Sequence, residues 1–217
     1  MSLARTAPDE ALESAAAWEA KGGEAAAVHC AAVALLSKGL YPEAGLRFED
    51  LAGGLSGAQA RLRVDALAQA GQAWLLAGDY QRAHTAQSDA LKADPTNPDL
   101  WIDRALTRAL SENYWEAIDD LNEAENLAPD RADLLIFRAS AYRFVEAFDL
   151  ALEDANRGLQ LDPDNPEGLL ERGNIRRLQG DDDGARADWL QVVTLAEGSP
   201  AAESAQANLA AMDVKTE

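Results

Sequence analysis

The chain has 217 residues, 19 of them basic and 38 acidic, for a formal charge of -19. Such a surface repels phosphate backbones and anionic lipid, which argues against nucleic-acid binding and membrane attachment and would steer a basic partner towards it. One cysteine, Cys30, excludes an intramolecular disulfide; two histidines, His29 and His84, leave any metal to carboxylates alone; and no apolar run reaches the length of a membrane span.

In chain order, Pro8 to Ala20 reads as a helix, and residues 1–24 as an N-terminal cap. The N-terminus lacks a charged region followed by an apolar core. Met1-Ser2-Leu3 is also what a trimmed leader would leave, so the compartment stays open between cytoplasmic and periplasmic or secreted. A divergent helical pair is expected over 25–58, carrying Ala32, Gly39, Tyr41, Ala44 and Phe48. A glycine-rich loop from Ala52 to Gly57 follows, then a long helix starting near Ala58.

From Val64 the chain repeats. Pro95, Pro129 and Pro163 stand 34 residues apart, which sets units over 64–97, 98–131, 132–165 and 166–199. A fixed period of this length marks a stack of units that pack only on their neighbours. Small residues recur at position 8 (Gly71, Ala105, Ala139, Gly173) and at position 20 (Ala83, Ala117, Ala151, Ala185), where two helices can cross closely. Larger residues fill position 4 (Leu67, Trp101, Leu135, Leu169) and most of position 24 (Gln87, Leu121, Ala155, Trp189). Asn97-Pro98 and Asn165-Pro166 pair an N-cap residue with a proline at the first helical position. The closing prolines end the preceding helices. The last unit departs from the pattern, its proline slipping to Pro200, where a C-terminal capping helix and tail are expected over 200–217.

This pattern resembles the tetratricopeptide repeat over roughly Ala25 to Ser199. The unit at Val64 carries the signature as Leu67, Gly71, Trp74, Ala83 and Pro95; the next as Trp101, Ala105, Tyr114, Ala117 and Pro129. The resemblance implies an all-α fold, a right-handed α-solenoid of stacked helix-turn-helix repeats. It also implies a concave groove lined by the first helix of each unit, at positions 2, 5, 9, 12 and 13, that holds an extended peptide or helix. Carried over, those positions select Gln72, Leu75, Leu76, Ile102, Leu106, Leu110, Ile136, Ser140, Arg143, Phe144, Leu170, Asn174 and Arg177. The middle of that surface is apolar, and its C-terminal end is polar. The partner expected is a protein or peptide, either basic overall or carrying a carboxylate that Arg143 and Arg177 would grip by forked hydrogen bonds. Alternatively both arginines pair with nearby acids such as Glu146, Glu171 or Asp181. The co-chaperone members of the family hold a C-terminal carboxylate with Lys at position 5 and Asn at position 9 of one unit. Here position 5 is His29, Ala68, Ile102, Ile136 and Leu170, which argues against that clamp.

Two further columns vary together. Position 7 is Arg104, Arg138 and Arg172, and position 23 is Asp120, Asp154 and Asp188, while the unit at Val64 has Ala70 and Ala86 in both places. An Arg–Asp pair across each helix hairpin is expected, as a structural feature rather than an anion site, since buried charges are paired. Trp115, beside Tyr114, falls outside the core columns and is expected either to stand exposed as a partner anchor or to pack on the helix turn. Asp181 to Gly184 lacks the later ligand spacing of a calcium loop and reads as a turn. Burial as a small apolar residue is expected of Cys30. No phosphate loop, nucleophile elbow or metal-binding histidine pair is present, so no catalytic residue, cofactor or metal is expected.

Overall fold

The computed structural model describes residues 2–213. Among them the chain forms 13 α-helices, one short 3-10 turn and no strand. It divides after Glu112 into two compact units.

The first unit holds α1 (Ser2–Thr6), α2 (Pro8–Glu19), α3 (Glu24–Ser37), α4 (Tyr41–Gly54), α5 (Ala60–Leu76), α6 (Tyr80–Ala93) and α7 (Pro98–Leu110). Each helix packs on the next along the chain. Residues 2–19 thus form two helices rather than one. Helix α4 runs through Ala52 to Gly54, which shortens the expected loop, and a 3-10 turn at Gly57–Gln59 leads into α5. The core is built from small residues, Ala32, Ala44, Ala70, Ala73 and Ala86, around Phe48. Ala70 and Ala86 thus pack apolar surface where the later units carry charge.

The second unit holds α8 (Tyr114–Leu127), α9 (Ala132–Phe144), α10 (Phe148–Leu161), α11 (Pro166–Gln179), α12 (Asp182–Leu195) and α13 (Pro200–Asp213). Its C-terminal core gathers Leu159, Leu169, Trp189 and Val192 beneath Ala201, Ala202, Ala205 and Met212 of α13. Pro200 lies 34 residues after Pro166, so α13 starts in register with α11. The Ser199 hydroxyl caps it, accepting from the Ala202 amide at 3.1 Å. The tail beyond Asp213 lies outside the described residues.

Position 8 and position 24 are coupled by size. A Cβ on Gly71 would meet Gln87 Cγ at 2.6 Å, and one on Gly173 would meet Trp189 Nε1 at 2.5 Å. The two glycines therefore stand where the facing side chain is bulky and close. The helix ends follow the expected chemistry. Asn97 accepts from the Asp99 amide at 3.0 Å and Asn165 from the Gly168 amide at 2.8 Å, both at N-caps. Asp181 caps α12 in the same way, accepting from Gly184 at 3.0 Å, so Asp182 to Gly184 form the first turn of a helix.

The turn inside each hairpin uses one left-handed residue at position 15. It is Gly39 (φ 74°), Gly78 (φ 76°) and Gly180 (φ 86°) in three units, but Glu112 (φ 62°) and Glu146 (φ 60°) in the other two. That region is costly for a residue with a Cβ.

Candidate functional site

An α-helix advances 100° per residue, so positions 2, 9 and 13 of each first helix lie within about 40° of one another. One stripe of α5 thus carries Asp65, Gln72 and Leu76; of α7, Asp99, Leu106 and Leu110; of α9, Asp133, Ser140 and Phe144; of α11, Glu167, Asn174 and Leu178. Position 13 stays open to solvent every time. Leu76 is 50% exposed, Leu110 55%, Phe144 51% and Leu178 55%. Large apolar side chains at one recurring place are not explained by packing within the fold.

The remaining groove residues sort differently. Gln72 is exposed, and Leu75, Leu106, Ser140 and Leu170 are half-buried. Ile102 and Ile136 are only 5% and 6% exposed. The Ile136 side chain fills the space over Gly158 and Gly168, which have no Cβ to obstruct it. The expectation that these two isoleucines face a ligand is corrected accordingly: position 5 belongs to the stack. Leu170 packs on the C-terminal core, and Asn174 accepts a hydrogen bond from Asn208 of α13 at 2.9 Å.

Both proposed carboxylate anchors are paired with acids of the same chain. Arg143 donates from Nε and Nη2 to the two oxygens of Glu171, at 2.5 and 3.3 Å, and its guanidinium lies 4.3 Å from the centre of the Phe144 ring. Arg177 pairs with Asp182. The alternative weighed from the sequence, neutralisation by nearby acids, describes both, with Glu171 the partner of the first. All eight arginines between Asn113 and Asp213 carry such an ion pair.

The arginine and aspartate columns meet inside two hairpins. Arg138 grips Asp154 with Nε and Nη2 at 2.6 and 2.9 Å, and Arg172 grips Asp188 at 2.9 and 2.7 Å. Each also reaches back to the preceding repeat. Arg138 Nη1 donates to Asn122, Arg172 Nη1 to Asn156, and Arg104 Nη1 to Ser88, always sixteen residues upstream. Arg104 and Asp120 lie in different units. Glu125 and Arg157 complete the Arg138 cluster, with Arg138 Nη1 on Glu125 at 2.5 Å and Arg157 Nη2 on it at 2.7 Å. Burial disfavours both charges, yet the hydrogen bonds outweigh it: the Glu125 carboxyl is held below the ordinary glutamate range and the Arg138 guanidinium is pushed further up. These groups are consumed by one another and leave no free anion-binding fork.

An aromatic pair lies on the second unit. Tyr114 and Phe144 stack in parallel, with ring centres 4.6 Å apart, and Trp115, the residue after Tyr114 in α8, is 60% exposed. Trp74 and Trp189 are buried, whereas Trp101 is half-buried and donates to the Pro95 carbonyl at 2.9 Å. Cys30 is half-buried. Among the described residues no group of His, Cys, Asp and Glu is placed to hold a metal, and no helix is long and apolar enough to cross a membrane.

The architecture defines a class, a protein of repeated helical hairpins, four of whose first helices expose an apolar side chain at the same place. No protein-family model and no curated protein matches the chain. Solved structures do. MamA, from residue 41 to its end, of Desulfovibrio magneticus RS-1 superposes with a TM-score of 0.70 at 22% identity, covering 81% of this chain and 98% of that one. The C-terminal part of a TPR repeat-containing protein from Cytophaga hutchinsonii gives 0.71 at 17%, over 87% of this chain and 74% of that one. The first TPR of Spaghetti (RPAP3), bound to the HSP90 peptide SRMEEVD, gives 0.53 at 26%, over 54% of this chain and 93% of that one. The fold is the tetratricopeptide-repeat fold.

Proposed function

We propose that this protein is a non-catalytic scaffold whose first-helix faces hold a segment of a partner protein. The observation that carries the reading is the recurring exposed apolar residue at position 13, Leu76, Leu110, Phe144 and Leu178. A neighbour of the same fold, RPAP3, is bound to an HSP90 peptide, which supports peptide binding as the use of such a face. The residues argue for a different ligand here, because Ile102, Ile136 and Leu170 stand where a carboxylate clamp places lysine. The absence of a catalytic motif from the sequence and the structural use of the buried charges support a non-catalytic role.

A second reading rests on the second helices. Leu127, Leu161 and Leu195 recur at position 30 and are 42%, 48% and 45% exposed, which would suit an assembly subunit that works through its other face. The test is affinity capture from an extract of the source organism with Leu76→Glu/Leu110→Glu, compared with wild type. Partners lost from the variant, with its circular dichroism unchanged, are the expected result. An unchanged partner list would overturn use of the first-helix face and leave the position-30 leucines.

A further inference from the structure

We propose that the hairpin-turn edge of the second unit, built on Tyr114, Trp115, Phe144 and Leu178, docks a basic amphipathic segment of a partner protein. The proposal rests on the scaffold reading and names the chemistry of what is scaffolded.

Three observations converge on it. The first is exposed apolar surface. Trp115, Phe144 and Leu178 are each more than half exposed, and the Tyr114 stack holds the Phe144 ring in one orientation. Gln179 donates to Asp149 at 3.0 Å, which ties the end of α11, where Leu178 lies, to the start of α10 just after the Phe144 turn. Aromatic side chains already immobilised lose little entropy on binding, and Trp and Tyr dominate interface hot spots.

The second is charge. Residues 113–217 hold 23 of the 38 acidic residues but only nine of the 19 basic ones. Since all eight arginines between Asn113 and Asp213 are already paired, the acidic surplus is what a partner meets. Glu146 and Asp149 stand exposed beside the aromatic edge. A carboxylate-bearing partner would meet neutralised arginines and a negative field. A lysine- or arginine-bearing one would meet that field and the open face of an indole, where a cation is also favourable.

The third is local. Position 15 is glycine in three hairpins, yet the turn beside Phe144 keeps Glu146 at φ 60°. Glu112 stands the same way at φ 62°, and at the Phe144 turn the glutamate places an exposed acid where glycine would leave none.

The test uses the full chain and two fluorescein-labelled 18-residue model helices of identical leucine pattern, one with lysine and one with glutamate at every polar place, read by anisotropy. The lysine peptide is expected to bind at least tenfold more tightly than the glutamate peptide and to weaken as salt rises. Trp115→Ser/Phe144→Ser is expected to weaken it at least tenfold, and Leu46→Ser/Leu190→Ser, on exposed leucines of second helices outside this edge and the first-helix faces, less than threefold. All four positions are about half exposed or more, and circular dichroism checks that each variant folds. Equal binding of the two peptides, or lysine-peptide binding indifferent to Trp115 and Phe144, overturns the proposal. In the latter case the acidic surface binds cations at large. If extract partners depend on Leu76 and Leu110 while the peptide ignores Trp115, the scaffold reading stands and this docking edge falls.

Discussion

At the scale of single residues, the Arg138 cluster shows how a charge is made tolerable inside an alanine-rich stack. Its guanidinium satisfies Asp154, Glu125 and Asn122 together, and the three come from two successive repeats. Arg138→Ala would strip the buried Asp154 of its forked partner, leaving the more exposed Arg157 to offset both Asp154 and Glu125, and is expected to cost about 3 kcal/mol in urea denaturation. The chain contains its own control, because Ala70 and Ala86 show that the two columns can be apolar together. The double variant Arg138→Ala/Asp154→Ala should therefore lose less than the two single changes summed. A sum equal to the parts would mean that the pair is not coupled. Glu125 adds a pH dependence. Its carboxyl titrates below the ordinary glutamate value in the folded chain, so the unfolded chain binds more protons in that window and stability rises with pH across it. The contribution is complete above the ordinary value of about 4.3 and is lost as pH falls through the folded one. Thermal melts of Glu125→Gln should lose part of the acid sensitivity seen in wild type below about pH 4. An identical pH profile would remove Glu125 from the account.

Among the helices and turns, sequence was a good guide to local chemistry and a poor one to what lies across a helix. Proline and asparagine mark helix ends through the geometry they impose on neighbouring amides, so Asn97, Asn165 and the prolines that follow them could be read directly. The partners of Arg138 and Arg172 at position 25, Asn122 and Asn156, were not anticipated, although they recur in their own column; only the three-dimensional stack shows that position 7 looks back one repeat. The burial of Ile102 and Ile136 was missed for a related reason. A face assigned by analogy does not say which of its residues the neighbouring helix covers. The strained turn at Glu146 was equally silent, because a left-handed glutamate has no local signature. Glu146→Gly should raise stability by about 1 kcal/mol by relieving the φ 60° backbone. By removing an acid from the aromatic edge it should also weaken lysine-peptide binding. A variant that gains no stability would show that the turn is not strained.

For the molecule as a whole, the period of 34 made the all-helical repeat fold legible before any coordinates, since a hairpin that cannot bury its own apolar face has to stack. Partner surfaces were less legible, because exposure depends on which neighbour happens to cover a residue. The terminal helix illustrates both points. Removing residues 200–217 would uncover the side of α11 and α12 on which α13 packs, with Trp189 and Val192 in the shared core. Hydrogen exchange should then quicken first in α11 and α12 and spread towards α9, as expected for a stack held by nearest-neighbour contacts. Exchange that rises uniformly through the second unit would instead describe one indivisible block.

Asn174 and Asn208 are joined at equivalent places 34 residues apart, and Pro200 opens its helix in the same phase as Pro166. Helix α13 is cut to the same template as the first helix of a module. A gene could therefore lengthen or shorten such an array by copying or deleting a whole module at that seam, and α13 would fit the new neighbouring surface without redesign. Array length, and with it the reach of the scaffold, would become a quantity that evolution can adjust in single steps.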